Sequence, residues 1–262
     1  MLPRWRKKQT LVLSPDALLL NDGRQACSAL LSREEDSQHI DFDILSAALP
    51  AEMQKLAGKP VDIILANSWV RYLIIPWQPH LFSRADWQAV AERKFREVYG
   101  NSSSHWNIVL SMQGYGKPLV AAAVDREVCE GLERLALQQH WQLDHITPAF
   151  SALTQRYARH WHGHAWLLML EHNRLLLAQS DSGVWKQFKL ALPPQSDIAE
   201  TAATLVRQAR QSQIGNAKLK LYIYQSSNVI GTDFGDGIEA RILNPDTSSA
   251  AASTLLDYGV LS

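Results

Sequence analysis

The order of predicted elements runs once through roughly the first 150 residues of this 262-residue chain and then begins again near residue 166. That restart limits the fold more than any single motif does. Short apolar runs at 10–13 and 17–21 flank Ser14-Pro15-Asp16 and read as a tight hairpin. Apolar residues at helical spacing over 43–56 predict a helix, which Pro50 breaks or restarts. Runs at 61–66 and 70–75 read as a strand pair around Asn67-Ser68. Ser83 caps a helix over 84–99, and strands at 106–112 and 119–124 join across Gly114-Tyr115-Gly116. Asp125 caps a helix through 140, followed by a strand at 141–146 and a helix over 148–160. Strands at 166–171, 175–180 and 184–190 then form a meander, with a helix over 199–213, strands at 218–224 and 237–243, and a helix over 248–258. The halves share element order and not residues. The pattern predicts an α/β duplication with mixed sheets flanked by helices: a first lobe at 1–150 with an inserted module at about 83–124, and a second lobe at 151–262.

Composition narrows the function classes. At 46% hydrophobic and 20% charged, the chain supports a sizeable core and is not a disordered polymer. Lysine plus arginine equals aspartate plus glutamate at 26 each, so the basic excess of a nucleic-acid-gripping surface is absent and no direct nucleic-acid partner is expected. Cys27 and Cys129 have no Cys-x-x-Cys partner, which argues against a structural zinc site or a disulfide framework. The longest apolar run, 61–77, is interrupted by Asp62, Asn67 and Arg71 and is too polar to cross a bilayer. The basic start leads into an apolar run broken at Ser14-Pro15-Asp16, so no signal peptide is expected and the predicted location is cytoplasmic.

Three stretches carry a resemblance. Val61-Asp-Ile-Ile-Leu-Ala-Asn-Ser-Trp-Val-Arg-Tyr-Leu-Ile-Ile-Pro76 is similar to a central strand pair ending before proline. His145-Ile-Thr-Pro-Ala-Phe-Ser-Ala-Leu153 resembles an inter-domain passage in which a strand runs into a helix, and Tyr258-Gly-Val-Leu261 resembles the ending of a final helix. With the element order, they make the chain similar to the PilM/HofM-like pilus-assembly and DNA-utilisation proteins and to the cytoplasmic domain of the type II secretion protein GspL. The resemblance implies a duplicated actin-like (ribonuclease H-like) fold. It also implies a scaffold at the inner-membrane face of a type IV pilus, DNA-uptake (competence) or secretion assembly. The implied partner is the cytoplasmic tail of a bitopic, PilN-like membrane protein.

The same resemblance locates a nucleotide site, and the residues there are unfavourable. Actin-like ATPases set an Asp-x-Gly turn of each of two hairpins against the phosphates, with glycine letting the backbone approach. Here the first turn is Leu13-Ser-Pro-Asp-Ala17 and the second Leu170-Glu-His-Asn-Arg174, neither with glycine, and proline removes a donor. The adenosine-contacting Gly-Gly would fall at Tyr224-Gln-Ser-Ser-Asn228, where both glycines are missing. No catalytic residue and no cofactor are therefore expected, and MgATP is disfavoured. The alternative is an actin-like ATPase or sugar-kinase-related enzyme. A ribonuclease H-like nuclease would need converging carboxylates, and the predicted strands hold few, Asp62, Asp144 and Glu171 among them.

For peptide recognition the candidates are Trp69, Arg71, Tyr72 and Trp77, aromatics with arginine around the 70–75 strand. They place a tail between the 61–75 strand pair and the inserted module; burial in the core is the competing reading of the tryptophans. His160, His162 and His164 alternate as zinc ligands on a strand would, or form a polar loop. Asp233-Phe-Gly-Asp-Gly237 reads as a turn or loop. Arg4, Arg6, Lys7 and Lys8 suit either an anionic lipid surface or a solvated terminus.

Overall fold

The computed structural model describes residues 9–21, 26–31, 40–171, 174–211, 218–225 and 230–243. In chain order the first half contains strands β1 (Gln9–Leu13), β2 (Ala17–Asn21) and β3 (Ala26–Leu30), and helices α1 (Phe42–Ala47) and α2 (Ala51–Gln54). Strands β4 (Pro60–Leu65) and β5 (Val70–Ile75) follow, then helix α3 (Arg84–Tyr99), strands β6 (Trp106–Met112) and β7 (Leu119–Asp125), helix α4 (Arg126–Gln138), strand β8 (Gln142–Pro148) and helix α5 (Ala149–Arg156). The second half runs β9 (His164–Glu171), β10 (Arg174–Asp181), β11 (Val184–Ala191), α6 (Ile198–Gln211), β12 (Leu219–Gln225) and β13 (Ile238–Ile242).

The duplication is visible strand by strand. One sheet has the order β3-β2-β1-β4-β8 and another the order β11-β10-β9-β12-β13. In each, an antiparallel three-strand meander is extended by two parallel strands on the far side of its first strand. The register sets leucine against leucine or isoleucine, as at Leu11↔Leu20, Leu11↔Ile63 and Leu175↔Leu170. Strands β9 and β10 are almost continuously buried, so both faces of that sheet are covered and the sequence reads as an unbroken apolar run.

A third sheet, ordered β5-β7-β6, corrects the expected 61–75 strand pair. Strand β4 is flanked by β1 on one side and β8 on the other, so it has no edge left for β5. Turn bonds from Trp69 N–H to the Ala66 carbonyl (3.0 Å) and from Val70 N–H to the Asn67 carbonyl (3.3 Å) instead carry the chain into the next sheet. Pro50 sits at the N-cap of α2 and divides the helix expected over 43–56 into α1 and α2, with the Asp41 carboxylate capping α1. The 148–160 helix stops at Arg156 and resumes as a 3₁₀ turn at Ala158–His160. The helix expected over 248–258 lies outside the described residues.

Two compact units result. One comprises the described residues of Met1–Val70 and Val124–Arg156, the other Arg71–Ala123 and the described residues of Tyr157–Ala250. Strand β5 shares a sheet with β6 and β7 of the expected inserted module, and the units divide after Val70, Ala123 and Arg156. In the first unit α4 buries Val128, Leu132, Leu135 and Ala136. Its Gly131 lies so close to Phe42 that a Cβ there would overlap the ring. In the second unit α6 packs Ile198, Ala202, Val206 and Ala209 on the β9–β12 sheet, while α3 packs Trp87, Ala91 and Phe95 on the third sheet.

Candidate functional site

The turn corresponding to the first phosphate hairpin uses its own polar groups. Ser14 N–H donates to the Ala17 carbonyl (2.9 Å), the Ser14 hydroxyl donates to the same carbonyl (2.8 Å), and Ala17 N–H donates to Ser14 Oγ (3.0 Å). Pro15 has no N–H to offer. The Ser14 carbonyl accepts the indole N–H of Trp69 at 3.1 Å, which fastens the turn from behind. A phosphate cradle needs backbone donors pointing outward, and those of Ser14 and Ala17 are engaged within the turn.

At the second hairpin, 172–173 lie outside the described residues, and the flanking Glu171 and Arg174 are both buried and face each other in the β9–β10 register. Burial first, and the neighbouring Arg71 second, lower the Arg174 guanidinium to about 10, while Glu171 acts in the opposite direction. Arg71 is itself lowered, mainly by burial. Of the adenosine-loop stretch, 226–229 lie outside the described residues. The preceding Gln225 is fully buried, and its amide clamps Ile230 by donating to the carbonyl (3.1 Å) and accepting from the N–H (2.9 Å).

The four expected peptide-binding residues differ in burial. Trp69 and Tyr72 are each only 8% exposed. Trp69 fastens the first hairpin, and Tyr72 packs on Phe188 with ring centroids 5.3 Å apart. Arg71 lies partly buried in the charged cluster with Arg174. Trp77 lines an accessible groove, where its ring lies 5.2 Å from Trp87 and 5.0 Å from Tyr115.

That groove, about 510 Å³, is walled by Trp77, Leu81, Phe82, Trp87, Met112 and Tyr115, with Arg84 at its rim. Phe82 and Tyr115 are each 90% exposed. Local chemistry explains both. The Ser83–Asp86 capping box, with reciprocal bonds of 3.1 Å, fixes the start of α3. Phe82 precedes that cap, where an apolar residue ordinarily staples onto the fourth helical residue; here that residue, Trp87, stacks on Trp77 and Phe82 projects outward. Tyr115 sits at a hairpin tip between Gly114 and Gly116, both with positive φ, where its own strands cannot cover it. An aromatic between two turn glycines was the available signal for this residue. Strand β6, an edge of the third sheet, runs beside the groove and ends at Met112.

The histidine run does not assemble a metal centre. His160 packs edge-on against Tyr157 and Tyr222, and His164 pairs with Asp181 at 3.3 Å. Asp233 accepts from Gly235 N–H in a loop. Of the three carboxylates singled out in the sequence, Asp62 and Asp144 come together in the first unit and Glu171 belongs to the second. No described helix is long and apolar enough to cross a membrane.

No family model and no characterised relative matches the sequence. Solved structures do match the fold. The cytoplasmic domain of EpsL, an inner membrane component of the type II secretion system of Vibrio cholerae, aligns with a TM-score of 0.60 and 12% identity, covering 96% of this chain and 93% of that one. A Bacteroides thetaiotaomicron protein of actin-like ATPase fold and unknown function aligns at 0.57 and 12%, covering 96% of each. The PilM–PilN type IV pilus biogenesis complex aligns at 0.54 and 14%, covering 91% of this chain and 88% of that one. Two sheets with one strand order, and counterparts spanning nearly the whole length, establish that the chain has the actin-like fold.

Proposed function

We propose that this chain is a non-enzymatic scaffold of a type IV pilus, DNA-uptake or type II secretion assembly. In this reading it works at the cytoplasmic face of the inner membrane and holds the cytoplasmic tail of a bitopic, PilN-like membrane protein. The observation that carries the reading is the groove beside β6, where Phe82, Tyr115 and Met112 expose apolar surface around the partly buried Trp77. Aromatic anchors beside a strand edge suit an extended peptide, which gains main-chain bonds from the edge and specificity from the pocket. The fold likeness to EpsL and to the PilM of the PilM–PilN complex supports the same setting. Against an ATPase stands the first turn, whose Ser14 and Ala17 donors are spent internally and whose Pro15 has none.

The test is fluorescence anisotropy with labelled tails of the bitopic membrane proteins encoded beside this gene. One tail binds, Phe82→Ala and Tyr115→Ala each weaken it at least ~10-fold, and isothermal titration with MgATP gives no heat. Failure of every tail, or unchanged affinity in both variants, overturns the docking site. Micromolar MgATP binding overturns the non-enzymatic reading.

A further inference from the structure

We infer that Gln113 is the positioning residue of the groove: its side-chain amide ties the tip of the β6–β7 hairpin to β11 and so holds Tyr115 against Trp77 before any peptide arrives. The tip, residues 113–118, has little stiffness of its own. Gly114 and Gly116 flank Tyr115 with φ of 120° and 73°, and Lys117 N–H reaches the Gly114 carbonyl in a long bond of 3.3 Å. Gln113 supplies what the tip lacks. Its Nε2 donates to the Pro118 carbonyl (3.0 Å), which closes the base of the tip, and to the Trp185 carbonyl (2.9 Å). Its Oε1 accepts the Trp185 N–H at 2.6 Å. Two carbonyls face the nitrogen and one N–H faces the oxygen, so a single orientation of the amide satisfies all three bonds and uses both of its hydrogens.

The anchor at the other end is firm. Trp185 is buried, and its ring packs on Trp161 with centroids 5.3 Å apart. Strand β11 is the edge of its sheet, and its register with β10 skips Lys186, so that Trp185 stands opposite Ser180. A residue of an antiparallel strand directs its N–H and C=O to the same side. Those of Trp185 both meet Gln113, which takes the place that a neighbouring strand would fill. Tyr72 of β5 adds a second contact between the two sheets through Phe188 of β11. The two walls of the groove are therefore held differently. Phe82 adjoins the Ser83–Asp86 capping box of its own segment, whereas Tyr115 is set from β11 through Gln113. A tip loosened by loss of the amide must be ordered on binding, and that ordering is subtracted from affinity. The competing reading is that Gln113 merely covers the β11 edge. It predicts a loss of stability and nothing specific to Tyr115.

The experiment combines tail anisotropy with the fluorine resonance of Tyr115 in the tail-free full chain labelled with fluorotyrosine, identified by its loss in Tyr115→Phe. The affinity arm rests on the docking site proposed above, and the resonance arm does not. Gln113→Ala and Gln113→Glu, the latter isosteric but without the amide donor, each weaken tail binding at least ~3-fold. In a Tyr115→Ala background the further loss disappears, while in Phe82→Ala it persists, a pattern that plain destabilisation does not produce. In both Gln113 variants the Tyr115 resonance loses the ring-current shift from Trp77, and circular dichroism checks that they fold. An unmoved resonance in either folded variant overturns the inference. So does a tail that binds the parent and both variants equally, or a loss of affinity that is the same with and without the Tyr115 ring. If no tail binds yet the resonance moves, the docking site fails and the clamp stands.

Discussion

Replacing Gly131 with alanine sets two well-scaled effects against each other. Gly131 is buried in α4, and in a helix interior alanine is favoured over glycine by about 1 kcal/mol. An isolated α4 would gain that amount. In the folded unit, however, a Cβ on Gly131 falls 2.7 Å from Phe42 Cζ and closer still to two other carbons of that ring. Carbon atoms in contact need about 3.5–4.0 Å. Phe42 must therefore move by around an ångström, although it opens α1 and is itself buried. Overpacking of this kind costs about 1–3 kcal/mol, with the upper end expected where the displaced ring is anchored by its own helix. The net loss is about 1–2 kcal/mol. In a chain of this size that lowers the melting temperature by roughly 2–8 °C. Urea unfolding and calorimetry of Gly131→Ala, Phe42→Leu and the double variant give the answer as a cycle. The double variant should be more stable than the sum of the two single losses, because a smaller side chain at 42 makes room for the methyl. A stabilised Gly131→Ala, or strict additivity, would show that α4 does not meet α1 at Gly131 and would refute the packing argument.

Trp69→Phe removes the indole donor to the Ser14 carbonyl and should cost about 1 kcal/mol, while Trp69→Ala should cost about 3–5 kcal/mol by urea unfolding. Neither should change tail affinity in the folded protein, and an isoenergetic Trp69→Phe would exclude the clamp. Ser83→Ala should cost about 1 kcal/mol through the lost α3 cap. Hydrogen bonds from Ser83 hold the Asp86 carboxyl below its ordinary 3.8, so its contribution is full above that value and is lost as pH falls through the lower folded value. Urea unfolding should show Asp86→Asn less stable than the parent at pH 6, with the gap narrowing as the pH falls below 3.8; a gap that does not change with pH would contradict this origin.

The parts of the fold legible in the sequence were those whose signals are local. Ser83, Asp125 and the 166–190 meander fall where side-chain chemistry and turn residues predict them, because a cap or a tight turn is decided within a few residues. Strand β3 escaped, since Ala26-Cys-Ser-Ala-Leu30 has neither alternation nor β-branched residues and becomes a strand by pairing with β2. The β4–β5 error has the same root. A short polar break between two apolar runs looks like a hairpin turn, and only the presence of β1 and β8 on both flanks of β4 forbids it.

That single misplacement also explains why the candidate site was only partly legible. Trp69, Arg71, Tyr72 and Trp77 look like one cluster if 61–75 is a hairpin facing an inserted module. Once β5 joins the third sheet, the alternation of that strand sends Tyr72 inward onto Phe188, and the preceding turn sends Trp69 back to the first hairpin. Trp77, beyond the strand, lines a groove, and the residues that complete that groove arrive from the cap of α3 and the tip of the β6–β7 hairpin. Such a site joins the 77–87 segment to the 110–119 hairpin, and no window of a single strand contains it. The Ser14–Ala17 turn is the opposite case. In Leu13-Ser-Pro-Asp-Ala17 the absence of glycine and the missing N–H of Pro15 are legible within five residues. What the sequence does not show is how that turn is held: the Ser14 hydroxyl donates to the Ala17 carbonyl and accepts from the Ala17 N–H, a side-chain bond that closes the turn locally.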